Sequence, residues 1–101
     1  MKSCNMDNIT LKDRKDGHKA FTIEQDGEQL GEMVVDITSD KLTVHHTEVN
    51  PDQEGKGLAG QMLTAMTDYA RKFGLKVVPL CQYVHGQFKR HPEQYQDIWE
   101  K

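Results

Sequence analysis

The stretch Val49-Asn50-Pro51-Asp52-Gln53-Glu54-Gly55-Lys56-Gly57-Leu58-Ala59 constrains this chain more than any other. It reads as a strand end, a short polar loop, two glycines and the first turn of a helix. A helix start leaves backbone N–H groups without intrahelical partners, and glycines let an anion come close to them. The segment therefore predicts a phosphate cradle at mid-chain, with strand sequence before it and an amphipathic helix after it.

Upstream, residues 20–26 alternate, Phe21 and Ile23 on one face and Thr22 and Glu24 on the other, which is strand periodicity. Asp26-Gly27 supplies the positive-φ pair favoured in tight hairpins. A return strand is expected over 28–38, with Met33, Val35 and Ile37 on its apolar face, and a turn at Ser39-Asp40 leads into a third strand over 41–49. Strict alternation would put Leu42, Val44, His46 and Glu48 on one face of that strand. Residues 1–10 read as a loose lead-in, with Ile9 and Leu11 able to anchor a short edge strand.

Downstream, Leu58, Met62, Leu63, Met66, Tyr69, Ala70 and Phe73 recur at helical spacing, with Gly74 placed to cap the helix. Residues 75–80 are apolar on both faces, as in a strand covered on both sides, and Pro79 removes one ladder bond. Residues 83–91 predict a short helix with Val84 and Phe88 inward, and Pro92 opens a last turn carrying Tyr95, Ile98 and Trp99. The fold class is α+β: an antiparallel meander, a crossover helix, a further parallel strand and a helical C-terminal tail. The 101 residues are expected to form one domain.

A formal charge of -3 argues against a nucleic-acid partner, which calls for a basic face. Cys4 and Cys81 stand far apart, and His18, His45, His85 and His91 show no ligand spacing, so neither a metal site nor a disulfide framework is expected. No window approaches a membrane span, no signal segment is evident, and the expected setting is cytoplasmic.

Gly55-Lys56-Gly57-Leu58-Ala59-Gly60 matches the dinucleotide pattern G-x-G-x-x-G. Its context argues against that reading: a hairpin meander and a polar loop precede it, and no acidic residue lies in 75–82 to hold a ribose. The better match is the acyl-CoA signature of the GNAT superfamily of N-acetyltransferases: Arg or Gln, two residues, Gly, one residue, then Gly or Ala. Gly57 and Ala59 fit it, with Glu54 where Arg or Gln is usual. With His46-Thr47-Glu48-Val49 before the loop, Gly74 to Cys81 after the helix, and His91-Pro92-Glu93, the chain closely resembles a short GNAT-like subfamily over about 21–99. Glu93-Gln94-Tyr95 carries one residue more than that subfamily's usual ending.

The resemblance implies an acetyl-CoA-dependent N-acetyltransferase acting on an amine. Thr47 and Val49 would pair with the pantetheine arm, while Glu54, Gly55, Lys56, Gly57, Leu58, Ala59 and Gly60 would border the pyrophosphate, Glu54 opposing its charge. A lysine-like amine, with a pKa of about 10.4, must lose a proton before it attacks, and His46 or Glu48 could take it. Cys81 could accept an acetyl group transiently, and Tyr83 could protonate the departing sulfur. The plainer roles are a sheet hydrogen bond for His46 and inert packing for Cys81. Typical GNAT domains open with helices that help build the acceptor pocket, and this chain opens with the meander. Its acceptor site is then either open to a small-molecule or peptide amine, or completed by a second copy in a homodimer. A CoA-binding module without catalysis, or an adaptor that kept only the fold, would use the same elements.

Overall fold

The computed structural model describes residues 9–100; Cys4 and the lead-in to residue 8 lie outside them. Five strands form one sheet in chain order: β1 (Ile9–Asp13), β2 (Lys19–Gln25), β3 (Glu28–Ile37), β4 (Lys41–Val49) and β5 (Lys76–Pro79). The first four run antiparallel, and β5 joins β4 in parallel. A parallel partner requires a crossover, and α1 (Leu58–Lys72) supplies it. Two shorter helices follow, α2 (Gln82–Arg90) and α3 (Pro92–Tyr95). No described helix is long and apolar enough to cross a membrane.

Local chemistry sets the joints. Asp26 at φ 54° and Gly27 at φ 81° are both left-handed, as the two-residue hairpin between β2 and β3 demands. At the end of α1, the amide of Leu75 donates to the Ala70 carbonyl at 2.8 Å and that of Gly74 to Arg71 at 3.4 Å, closing the last turn. The helix lays Met62, Leu63, Met66 and Ala70 over Phe21, Ile23, Met33, Val35, Leu42 and Val44, all buried. Burying side chains of this size contributes about 1.5–3 kcal/mol each. Val84 and Phe88 of α2 and Ile98 of the tail join the same core.

Two expectations need correction. First, the β3–β4 register shifts between Val34 and Val35, so that Val35 faces Val44 while Val34 faces His46 and Met33 faces Thr47. This β-bulge at His45 inverts the alternation beyond it. Thr47 and Val49 therefore share the helix-covered face with Leu42 and Val44, and His46 and Glu48 turn to the opposite face. Second, β5 is not covered on both sides. Val77 is buried, but Lys76 is exposed and Leu80 is 62% exposed. The outer edge of β5 is taken by the tail: Val77 donates to Ile98 at 2.6 Å and Glu100 donates back to Val77 at 2.9 Å.

The face away from α1 is dressed by charged side chains. Lys12 pairs with Glu24 and Arg14 with Glu32, above the buried Ala20, Thr22 and Val34. Beside them Asp36 accepts from His18 and His45. Those two bonds, that of His18 first, hold the Asp36 carboxyl below its ordinary range, and Asp36 in turn raises the His18 imidazole.

Gly31 in β3 fixes the spacing between sheet and helix. A Cβ there would meet the Glu48 carbonyl oxygen at 3.0 Å, the Met62 methyl at 3.1 Å and Ile23 at 3.3 Å. Because one neighbour is backbone, Gly31→Ala is expected to lower stability by about 1–3 kcal/mol in urea titration. An unchanged midpoint would show that the strands separate freely.

A second prediction concerns the tail. Arg71 donates to Asp97 at 3.0 Å, and this bond holds the Asp97 carboxyl below its ordinary value. A carboxylate depressed in the folded state stabilises above its unfolded pKa of about 3.9, and that contribution is lost as pH falls through the lower folded value. The pair is largely exposed, so Asp97→Asn should cost less than about 1 kcal/mol at pH 7. The difference from the parent should vanish in acid, as thermal melts from neutral to about pH 2 would show.

Candidate functional site

Parallel pairing of β4 with β5 begins at Lys41–Lys76 and stops at Val44–Pro79. Lys76 donates towards β4, to Asp40 at 3.0 Å, and Val77 away from it, so alternation puts the missing N–H of Pro79 on the tail's side and makes Leu80 the next donor due towards β4. The chain then turns at Leu80, whose amide donates to Val78 at 3.1 Å, and the Cys81 amide reaches back to the Val44 carbonyl at 2.9 Å. Beyond that bond β4 continues through residues 45–49 while the other chain departs as α2, and the two separate.

One mouth of the separation is a cavity of about 410 Å³ lined by Val49, Gln53, Glu54, Gly55, Gly57, Leu58, Ala59, Gly60 and Tyr83. The loop is held from below: the Asn50 amide donates to Leu30 at 2.9 Å and its side-chain nitrogen to Gln29 at 2.9 Å. Pro51–Gln53 forms one 3₁₀ turn, and Gly57 at φ 78° starts α1 with no side-chain cap. The first intrahelical bond of this turn runs from Gln61 to Gly57, at 3.1 Å, so the amides of Leu58, Ala59 and Gly60 precede it. Amides left free at a helix start are suited to an anion. A Cβ on Gly60 would stand 3.9 Å from the Tyr83 hydroxyl, so a side chain here would begin to fill the cradle. Glu54, itself exposed, belongs to the same lining, whereas the exposed Lys56 does not.

The other mouth is a second cavity of about 410 Å³, lined by His45, His46, Thr47, Leu80, Cys81, Gln82 and Tyr83. Here the Cys81 thiol, at the start of α2, donates to the Thr47 hydroxyl at 3.2 Å. Tyr83 borders both cavities. Burial, with smaller contributions from Tyr95 and Cys81, pushes its phenol above the ordinary value, so it stays a proton donor at neutral pH. His46 lies on the rim, its Nε2 3.6 Å from a carboxylate oxygen of Glu48, both side chains exposed. Glu48 itself lines neither cavity.

The candidates read from sequence thus divide into two groups. Val49, Glu54, Gly55, Gly57, Leu58, Ala59 and Gly60 gather on the loop side; His46, Thr47 and Cys81 gather on the other; Tyr83 joins them. Gln53, Leu80, Gln82 and His45 complete the linings without having been singled out by sequence. Leu80 and Gln82 flank Cys81 just past Pro79, so the end of the ladder was their available signal.

The family model of GCN5-related N-acetyl-transferases matches residues 20–98. A search of curated proteins finds no match. Among solved structures, the chain is similar to a GCN5-like protein of Staphylococcus aureus studied by NMR, with TM-score 0.65 and 22% identity over 92% of this chain and 89% of that one. It is also similar to a ribosomal-protein-alanine N-acetyltransferase from Brucella melitensis biovar Abortus, with TM-score 0.59 and 22% identity over 80% of this chain. The match spans 64% of the Brucella enzyme's own length. At this identity the two structures establish the fold, and the family rests on the match over residues 20–98: the chain belongs to the GCN5-related N-acetyltransferases.

Proposed function

We propose that this chain transfers an acetyl group from acetyl-CoA to an amine, the coenzyme seated at the loop-side cavity and the amine arriving from the other. The observation that carries this reading is the pair of cavities on either side of the β4–β5 separation, with Tyr83 bordering both. The residues fit the coenzyme: three amides at a helix start suit a pyrophosphate, and the apolar Val49, Leu58 and Ala59 suit an acyl-pantetheine chain. When bound, the coenzyme supplies an activated acetyl thioester.

The chain's own groups do the rest. His46, oriented by Glu48, removes a proton from the incoming ammonium at the rim. Tyr83, kept protonated by burial, donates to the sulfur that leaves. The thiol of Cys81 is held by Thr47 beside both and is the other candidate to receive the acetyl group. Residues 45–49 of β4 supply main-chain donors on the free side of the separation, where an oxyanion develops. The open second cavity suits a small-molecule or peptide amine.

Acetyl-CoA should raise the melting temperature, and Tyr83→Phe should lower thiol release about a hundredfold or more while leaving that thermal shift in place. If His46→Ala matches the parent while Cys81→Ala is inactive, the acetyl group passes through sulfur and the base role falls. No thermal shift at millimolar acetyl-CoA would remove the coenzyme reading altogether.

The Glu54 carboxylate favours one further reading, a chain that binds the coenzyme weakly. Removing one charge near a pyrophosphate is worth about 1 kcal/mol in water. Glu54→Gln should therefore tighten acetyl-CoA up to about fivefold by calorimetry, less so at high salt. A weaker or unchanged affinity would show that the side chain points away from the phosphates.

A further inference from the structure

Sequence spacing shows no metal-ligand set, yet the sheet assembles one on the face away from α1. His18 just before β2, Asp36 of β3 and His45 at the bulge of β4 bring one ligand atom each to within 4.8 Å of the others. We propose that this trio binds a divalent first-row transition ion, zinc in the first instance, with solvent completing the coordination.

The geometry is close to what such an ion needs. His18 Nδ1 lies 2.6 Å from Asp36 Oδ1, and His45 Nε2 lies 2.8 Å from Asp36 Oδ2. Zinc takes imidazole nitrogen at about 2.0–2.1 Å and carboxylate oxygen at about 2.0–2.2 Å. Ligand atoms around it then sit roughly 3.3 Å apart, so the two N···O contacts open by about 0.5–0.7 Å. The ionised carboxylate only accepts, so both facing ring nitrogens carry hydrogens here. On binding, each facing nitrogen gives up its hydrogen, to solvent from a protonated ring or by a shift to the ring's other nitrogen in a neutral one, and the freed lone pair coordinates the ion.

Two histidines with one carboxylate form a borderline-soft donor set that favours zinc, cobalt, nickel or copper over magnesium or calcium. The backbone fixes the ligands. The His18 amide donates to Asp16 at 3.1 Å and the His18 carbonyl accepts from Arg14 at 2.7 Å, while the bulge holds His45. Asp16 and Glu32 both engage Arg14, offsetting that cation beside His18 and leaving the Asp36 carboxylate to the two rings. All three side chains remain partly exposed, which leaves room for water on the ion. His45 also lines the cavity beside His46 and Cys81, so a bound ion would fix one wall of it.

The test is calorimetric titration of the full, tag-free chain with Zn²⁺, and with Co²⁺ followed by its visible absorption. One equivalent should bind and raise the melting temperature by about 10 °C or more at a hundredfold excess over Kd. His18→Gln and His45→Gln should each weaken binding about tenfold or more, and His85→Gln and His91→Gln should not. Asp36→Asn keeps the shape, removes the charge and should weaken binding likewise, which covers the case of a histidine variant that fails to fold. Absence of binding, or binding by the Asp36 and histidine variants as tight as the parent's, would overturn the proposal.

Discussion

The candidate site depends on one redirected hydrogen bond. β4 and β5 pair in parallel only as far as Val44 and Pro79, and the Leu80 amide, next in line to face β4, turns back onto Val78. The Cys81 amide takes the last carbonyl, that of Val44, and from there the two segments part. The loop-side cavity, the cavity beside Cys81 and the position of Tyr83 between them all follow from that departure. The helix start beside it is built for the same opening, because Gly31 lets β4 and α1 approach β3 closely and Asn50 ties the loop to the Gln29–Leu30 backbone.

Most of the architecture was legible in the residues. Period-two runs, the Asp26-Gly27 pair, the helical stripe from Leu58 and the cap at Gly74 each act through neighbouring backbone, so local sequence encodes them. The bulge was not legible. An extra residue in β4 is defined only against β3, and counting by twos from Leu42 carried His46 and Glu48 to the wrong face. The cover of β5 was misread for a related reason: Leu80 looks like core in a short apolar run, but Pro79 has already ended the strand. The site was legible in part. Glycines at a helix start mark free amides from sequence, whereas the linings added by Gln53, Leu80, Gln82 and His45 come from distant segments meeting in space.

The sheet's two faces divide the labour. One packs against the helices and is apolar. The other protects small residues such as Ala20 and Thr22 under long charged side chains, with no apolar layer of their own. Where that dressing gives way to His18, Asp36 and His45, it becomes chemically specific, and the bulge that supplies His45 also aims His46. A single irregularity in one strand thus shapes both the rim of the cavity and the polar cluster beside it.

The tail beside β5 has a consequence for association between chains. A sheet edge invites another strand, and here residues 98–100 already occupy the pairing groups of Val77. Another molecule could extend the sheet on that side only after the tail had been peeled away, against the Arg71–Asp97 clamp and the stacking of Tyr95 on Phe88. At the far edge, β1 carries Lys12 and Asp13, which discourage docking of a flat apolar strand. Among the described residues, the fold thus guards both borders of the sheet and keeps a gap inside, between two strands of its own.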